Sequence, residues 1–127
     1  SMINDFNSGT VGWTDWNILL NEGGGPNHVE NFCFAPIHGD TQTDALILTP
    51  TYYYIGHFSK FVKPGARRVS TAASRSTLES TTFENPSGER VTVVMNRTDA
   101  PMDYALIVGD KEVNASILPH AMQTLVY

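Results

Sequence analysis

The residues with the most chemistry to offer lie between positions 13 and 34. Trp16 stands near the end of a largely apolar stretch, and the loop at 21–27 (Asn-Glu-Gly-Gly-Gly-Pro-Asn) follows it. A flat indole face suits the C–H-rich face of a pyranose ring, and Asn or Asp side chains suit its hydroxyls. Trp16 and the loop after it are therefore candidate binding residues, whereas Trp13 reads as core packing. The 13 Asp and Glu residues are scattered along the chain. Asp15, Glu22 and Glu30 are the ones that fall near Trp16 in sequence. The run Gly23-Gly24-Gly25 is no phosphate cradle, since no Lys-Ser/Thr follows and no helix starts right after it. The single cysteine, Cys33, excludes an internal disulfide and a zinc site of several thiolates. Within Phe32-Cys33-Phe34 it reads as a buried small hydrophobe. His57 sits beside the apolar face of a helix and reads as a hydrogen-bonded packing histidine, not a catalytic base.

The elements that must position these residues fall into two halves that meet near Pro64-Gly65. Residues 11–20 are β-branched, aromatic and aliphatic, with the C-terminal half apolar on both faces, which predicts a strand of a parallel sheet. A parallel strand needs neighbours on its edges, and none is evident in this half. Residues 32–37 form a second short extended stretch, and 40–44 are turn-like. Residues 52–62 predict a helix, with Ile55, Phe58, Phe61 and Val62 on one face. Thr49 or Thr51 can cap its start, Pro64-Gly65 ends it, and Tyr52-Tyr53-Tyr54 read as packing. Strand, long loop and helix make a βα unit. Met2, Ile3 and Phe6 resemble the last turn of a helix that Asn7-Ser8-Gly9 closes. From Arg67 the period becomes two. Strands are expected over 67–74, 78–84, 90–96, 104–108, 113–117 and 122–127, with a hairpin turn at Asn85-Pro86-Ser87-Gly88. Such a series points to an antiparallel sandwich or part of one.

The totals bound the function. A chain of 127 residues with 41% hydrophobic residues suits one folded domain of ordinary size. Charged residues make up only 17%, against roughly a quarter in a typical free-standing domain, so part of this surface is expected to be covered by something else. A net charge of −5, with no basic run beyond Arg67-Arg68, argues against a phosphate-backbone binder. No apolar stretch approaches the roughly 20 residues of a membrane span. No signal peptide is visible at the start. The compartment is left open. Asn96-Arg97-Thr98 and Asn114-Ala115-Ser116 fit the N-glycosylation pattern, which is common by chance.

Four stretches in register resemble the glucosylceramidase-like family 30 glycoside hydrolases. They are Gly12-Trp13-Thr14-Asp15-Trp16-Asn17; Gly24-Gly25-Pro26-Asn27 with Asn31-Phe32; Tyr54-Ile55-Gly56-His57-Phe58-Ser59-Lys60-Phe61; and Pro86-Ser87-Gly88 followed by residues 91–97. The resemblance runs from about Met2 to Tyr127. It implies a mixed, mostly β fold: the last βα unit of a (β/α)8 TIM barrel followed by an antiparallel β-sandwich. Residues 1–64 would hold the tail of helix 7 and the last strand, loop and helix of the barrel. Residues 65–127 would form the C-terminal sandwich domain. In barrel enzymes the βα loops at the C-terminal ends of the strands carry the site. The resemblance makes Trp16 the aromatic wall near the cleaved sugar and puts Asn31 and Phe32 at the pocket mouth. Asp15 becomes a supporting acceptor behind the wall.

Retaining glycosidases use two carboxyls about 5–5.5 Å apart. In the resembled family both lie on earlier barrel strands, and no carboxylate here sits in a matching motif. The resemblance thus implies the C-terminal part of a retaining β-glycosidase acting on β-glucosyl linkages of a glycan or glycolipid. This segment would supply pocket wall and bracing sandwich, would be inactive alone, and would need no cofactor or metal. Its partner would be the upstream barrel portion, with self-association or strand swapping as another way to cover its edges. The alternative is a stand-alone, non-catalytic carbohydrate-binding or structural β-sandwich module.

Overall fold

The computed structural model describes residues 1–25 and 28–127. The chain separates into two compact units, one of Ser1–Val11 with His57–Tyr127 and the other of Gly12–Gly56.

In the unit of Gly12–Gly56, a three-stranded sheet runs in the order β1 (Leu19–Asn21), β2 (Ile37–Asp40), β3 (Ala45–Leu48). β1 pairs with β2 in parallel, Leu20 opposite His38, and β2 pairs with β3 antiparallel. The strand expected over 11–20 is therefore only its last residues: Val11 is fully exposed, and Leu20 alone in that stretch is buried. β2 supplies a neighbour on one edge of Leu19–Asn21 only, and residues 11–18 pair with no strand among the described residues. The polar 40–44 segment makes the β2–β3 turn, with Asp40 accepting bonds from the Gln42 and Thr43 amides and the Thr43 hydroxyl. Trp13 is 44% exposed and does not pack as core. Cys33 is half-buried, short of the full burial its apolar flanks suggested.

Helix α2 (Pro50–Ser59) follows β3. Its start differs from the expected cap, because the Thr49 hydroxyl donates to the Pro36 carbonyl at 3.0 Å and so ties the helix to the end of the preceding loop. Tyr52, Tyr53 and Tyr54 are exposed rather than packed. The helical hydrogen bonding runs past Ser59 by a turn, with the Val62 amide donating to the Phe58 carbonyl, before Gly65 at φ +84° turns the chain.

In the other unit the central layer is a four-stranded antiparallel sheet, β4 (Arg67–Val69), β5 (Leu78–Glu84), β6 (Arg90–Asn96) and β9 (Met122–Val126), in the order β4-β5-β6-β9. The Asn85-Pro86-Ser87-Gly88 turn joins β5 to β6, and Gly88 takes φ +87° there, which suits glycine. Alternation gives the sheet two faces. Phe83, Val91 and Val93 form one core with Ile3 of helix α1 (Met2–Asn7) and Phe58 of α2, with Phe6, Phe61 and Val62 against it. Of the apolar face read from the sequence of 52–62, Phe58, Phe61 and Val62 join this core and Ile55 does not. On the opposite face, Ser80, Thr82, Thr92 and Val94 look across a cleft of about 650 Å³ toward Tyr104 and Leu106. Those two belong to the hairpin β7 (Met102–Val108) and β8 (Lys111–Ile117). Asn96, fully buried, ties this hairpin to β6: its amide donates to the carbonyls of Ala100 and Leu118, and its oxygen accepts from the Thr98 amide and hydroxyl.

Candidate functional site

The β1–β2 pairing fixes the frame on which the site stands. Trp16 precedes β1 and is 62% exposed, its ring open to solvent. The Asp15 carboxylate accepts a hydrogen bond from the Trp16 amide at 2.8 Å and so braces the backbone that carries the indole. After β1 the chain turns tightly on Asn21. The side-chain oxygen of Asn21 accepts from the amides of Gly23 and Gly25, both at 3.1 Å, and its backbone carbonyl accepts from the Gly24 amide. The returning segment brings Asn31 beside Trp16. The two residues share one open hollow of about 260 Å³ with His28, Val29 and Cys33. That is below the usual range of closed ligand clefts, roughly 300–1,000 Å³, and it has the form of a wall rather than an enclosure.

Phe32 does not line this hollow. Its side chain turns to Phe34, edge to face with centroids 4.8 Å apart, and also lies against Gly24. It remains 53% exposed, so it presents a ring on the neighbouring surface. Of the expected residues, then, the fold brings Trp16 and Asn31 together, bonds Asp15 to the Trp16 amide and leaves Phe32 to one side. His28, Val29 and Cys33 are lining residues that sequence reading missed. Their only signal was adjacency to Asn31 in a loop whose direction of return could not be read from composition. The Pro26-Asn27 part of the motif lies outside the described residues.

Besides Asp15, Glu22 has structural work. Glu22 accepts from the Thr41 hydroxyl at 2.6 Å and the Thr41 amide at 3.0 Å, which staples the loop after β1 to the β2–β3 turn. The Thr41 hydroxyl and amide hold its carboxyl below the ordinary value of 4.5. A general acid needs the opposite shift. His38 is likewise engaged, its Nε2 accepting from the Ala35 amide and its ring stacked on Phe34. His57 bonds Thr124 of β9 through Nδ1 at 2.8 Å, a packing role as read from the sequence. No cluster of three or more His, Cys, Asp or Glu side chains able to hold a metal is found among the described residues.

Residues 1–62 match the glycosyl hydrolase family 30 TIM-barrel domain, and residues 65–125 match the glycosyl hydrolase family 30 beta sandwich domain. This chain belongs to glycoside hydrolase family 30. It is 45% identical over 104 residues to the lysosomal acid glucosylceramidase of Mus musculus, an alignment covering 81% of this chain and 20% of that protein. Among solved structures it is similar to SrfJ from Salmonella typhimurium, with a TM-score of 0.96 and 44% identity over 99% of this chain and 28% of that one. The endo-beta1,6-glucanase BT3312 gives a TM-score of 0.84 at 25% identity, covering 96% of this chain and 28% of that one. The chain thus spans between about a fifth and just over a quarter of the length of these relatives. Its fold is the end of the family's TIM-barrel domain together with its β-sandwich domain.

Proposed function

We propose that this chain is the C-terminal part of a retaining β-glycosidase of the glucosylceramidase type, hydrolysing β-glucosyl linkages. Residues 1–64 act as the tail of helix 7 with the last strand, loop and helix of the barrel, and 65–127 as the bracing sandwich. The observation that carries the reading is the shared hollow of Trp16 and Asn31 at the head of β1. An indole face and a carboxamide side by side are the pair that a pyranose asks for, one for its C–H face and one for its hydroxyls. Phe32 extends the apolar surface beside them, and Asp15 steadies the Trp16 backbone.

The chain supplies wall and not scissors. Retention requires a nucleophilic carboxylate and a proton donor about 5–5.5 Å apart. Glu22 is spent on Thr41 with its proton affinity lowered. The acid and nucleophile are supplied by the upstream barrel portion, which is the chain's principal partner, and the substrate is a β-glucoside, glycan or glycolipid. A purified 127-residue chain is expected to release no chromophore from an aryl β-glucoside above the blank rate. Turnover by that chain would overturn the claim that the reacting carboxyls lie elsewhere. In the absence of the upstream portion, exposed strands such as Ala45–Leu48 favour pairing with a second copy. Sedimentation at rising concentration is expected to show growth beyond the monomer.

A further inference from the structure

The hollow depends on how the returning segment 28–34 is held against the turn that follows β1, and one residue governs that approach. We propose that Gly24 is a positioning residue for the pocket wall: its missing side chain is the seat on which the Phe32–Cys33 backbone rests, and that seat sets where Asn31 stands relative to Trp16. This rests on the sugar-site reading above for its functional meaning, though not for its geometry.

A Cβ at Gly24 would stand 2.5 Å from the Cys33 nitrogen, 2.8 Å from Phe32 Cδ2 and 2.9 Å from the Cys33 carbonyl oxygen. Two of those three atoms are backbone and cannot swing away as a side-chain tip could. Gly24 also takes φ +74°, where a side chain is strained in any surroundings. The Cys33 amide donates to the Gly24 carbonyl at 3.3 Å, so contact and hydrogen bond act at the same point. On the other side, the Gly24 amide donates to the Asn21 carbonyl, and Asn21 belongs to β1, opposite Gly39 of β2. The seat is therefore tied through one residue to the sheet. Cys33 of the seated peptide and Asn31 just before it both line the hollow with Trp16. Gly23 is the internal contrast. It adopts no positive φ, and a Cβ there would meet only the Asn21 side-chain oxygen, at 3.4 Å.

The test compares the unmodified chain with Gly24→Ala and Gly23→Ala. Cys33 is the only thiol, so its rate of reaction with an aromatic disulfide reports the seat without any ligand. Gly24→Ala is expected to raise that rate several-fold, and Gly23→Ala to leave it near the parent value. Equal rates in the two variants would overturn the proposal. Amide exchange of the unmodified chain serves if Gly24→Ala fails to fold: the Cys33 amide is expected to exchange more slowly than an open loop amide, and exchange at the open-loop rate would overturn it. Titration with methyl β-glucoside separates the two readings. The Trp16 indole N–H and Asn31 carboxamide resonances should both shift in the parent, and the Asn31 response should be lost first in Gly24→Ala. If the parent shows no shift while thiol reactivity still rises in Gly24→Ala, the seat stands and the sugar site falls. If both resonances respond equally in parent and Gly24→Ala, the seat does not position the wall.

Discussion

Three residues in the unit of Ser1–Val11 and His57–Tyr127 carry distinct expectations. Thr81 lies on the helix-facing side of the sheet, opposite Val93, and its buried hydroxyl has no hydrogen-bond partner among the described residues. Thr81→Val removes an unpaired polar group while keeping the shape. It is expected to be neutral or to stabilise by up to about 1 kcal/mol, read from the denaturation midpoint. Asn96 is the reverse case. Asn96→Ala would remove the donor that ties the Ala100 and Leu118 carbonyls together and leave the Thr98 amide without its acceptor, and is expected to cost about 2 kcal/mol. Asn96 is buried with its amide nitrogen engaged, so in the folded chain it presents no accessible nitrogen to a glycan. His57 adds a pH dependence. Burial holds its pKa below the ordinary 6.5, so the unfolded chain takes up a proton that the folded chain resists. Its contribution is whole above the unfolded pKa and is lost as the pH falls through the window beneath it. Melting temperatures taken from pH 7.5 down to 5 are expected to fall, and His57→Gln should flatten that part of the slope.

Among the elements, α1, the end of α2 and the sheet act as one packed layer. Phe6 meets Phe58 at 5.3 Å and Phe83 at 5.4 Å, the latter edge to face, so one aromatic cluster joins two helices to β5. Phe58→Ala is expected to cost about 3–5 kcal/mol, in the range of large buried aromatics, and to lower the cooperative melt of the sandwich unit. Asn85 works at the same junction through hydrogen bonds. It accepts from the Lys63 amide and donates to the Phe61 carbonyl, closing the chain end of α2 while shaping the β5–β6 turn. The helix face at Phe58, Phe61 and Val62 and the β5 and β6 strands were legible because apolar spacing of three to four, or of two, is a direct record of one buried face. Residues 11–20 were not, because an apolar run records burial somewhere without naming the element. Trp13, Trp16 and Ile18 are exposed in this chain, and only Leu20 is covered.

Across the whole molecule, protection is distributed unevenly between the two units. Val91 and Val93 of β6 have no accessible surface, whereas all of β3 is exposed. Amide exchange is expected to be slow through β5 and β6 and markedly faster through β2 and β3, since sparse apolar cover lowers the cost of local opening. Equal protection in the two sheets would contradict that ordering. The low charge content pointed to covered surface, and the exposed Leu46, Ile47, Phe34 and Ile18 of Gly12–Gly56 are where that deficit lies. Residues matched to the family's TIM-barrel domain, including Ile3 and Phe58, contribute to the same core as the sandwich residues Phe83, Val91 and Val93. Domain boundaries by family and compact units by contact therefore cut the chain at different places.

The sequence by itself determined the family, the succession of a βα segment and short antiparallel strands, and the residue types suited to a sugar. Those are matters of composition, order and period, which are local quantities. Tertiary structure alone decided that β2 runs parallel beside β1, that Asn31 meets Trp16 while Phe32 turns to Phe34, and that Glu22 is held by Thr41. Each of those depends on where a loop returns in space. That return is set by contacts such as the one at Gly24, between residues whose spacing along the chain carries no periodic mark.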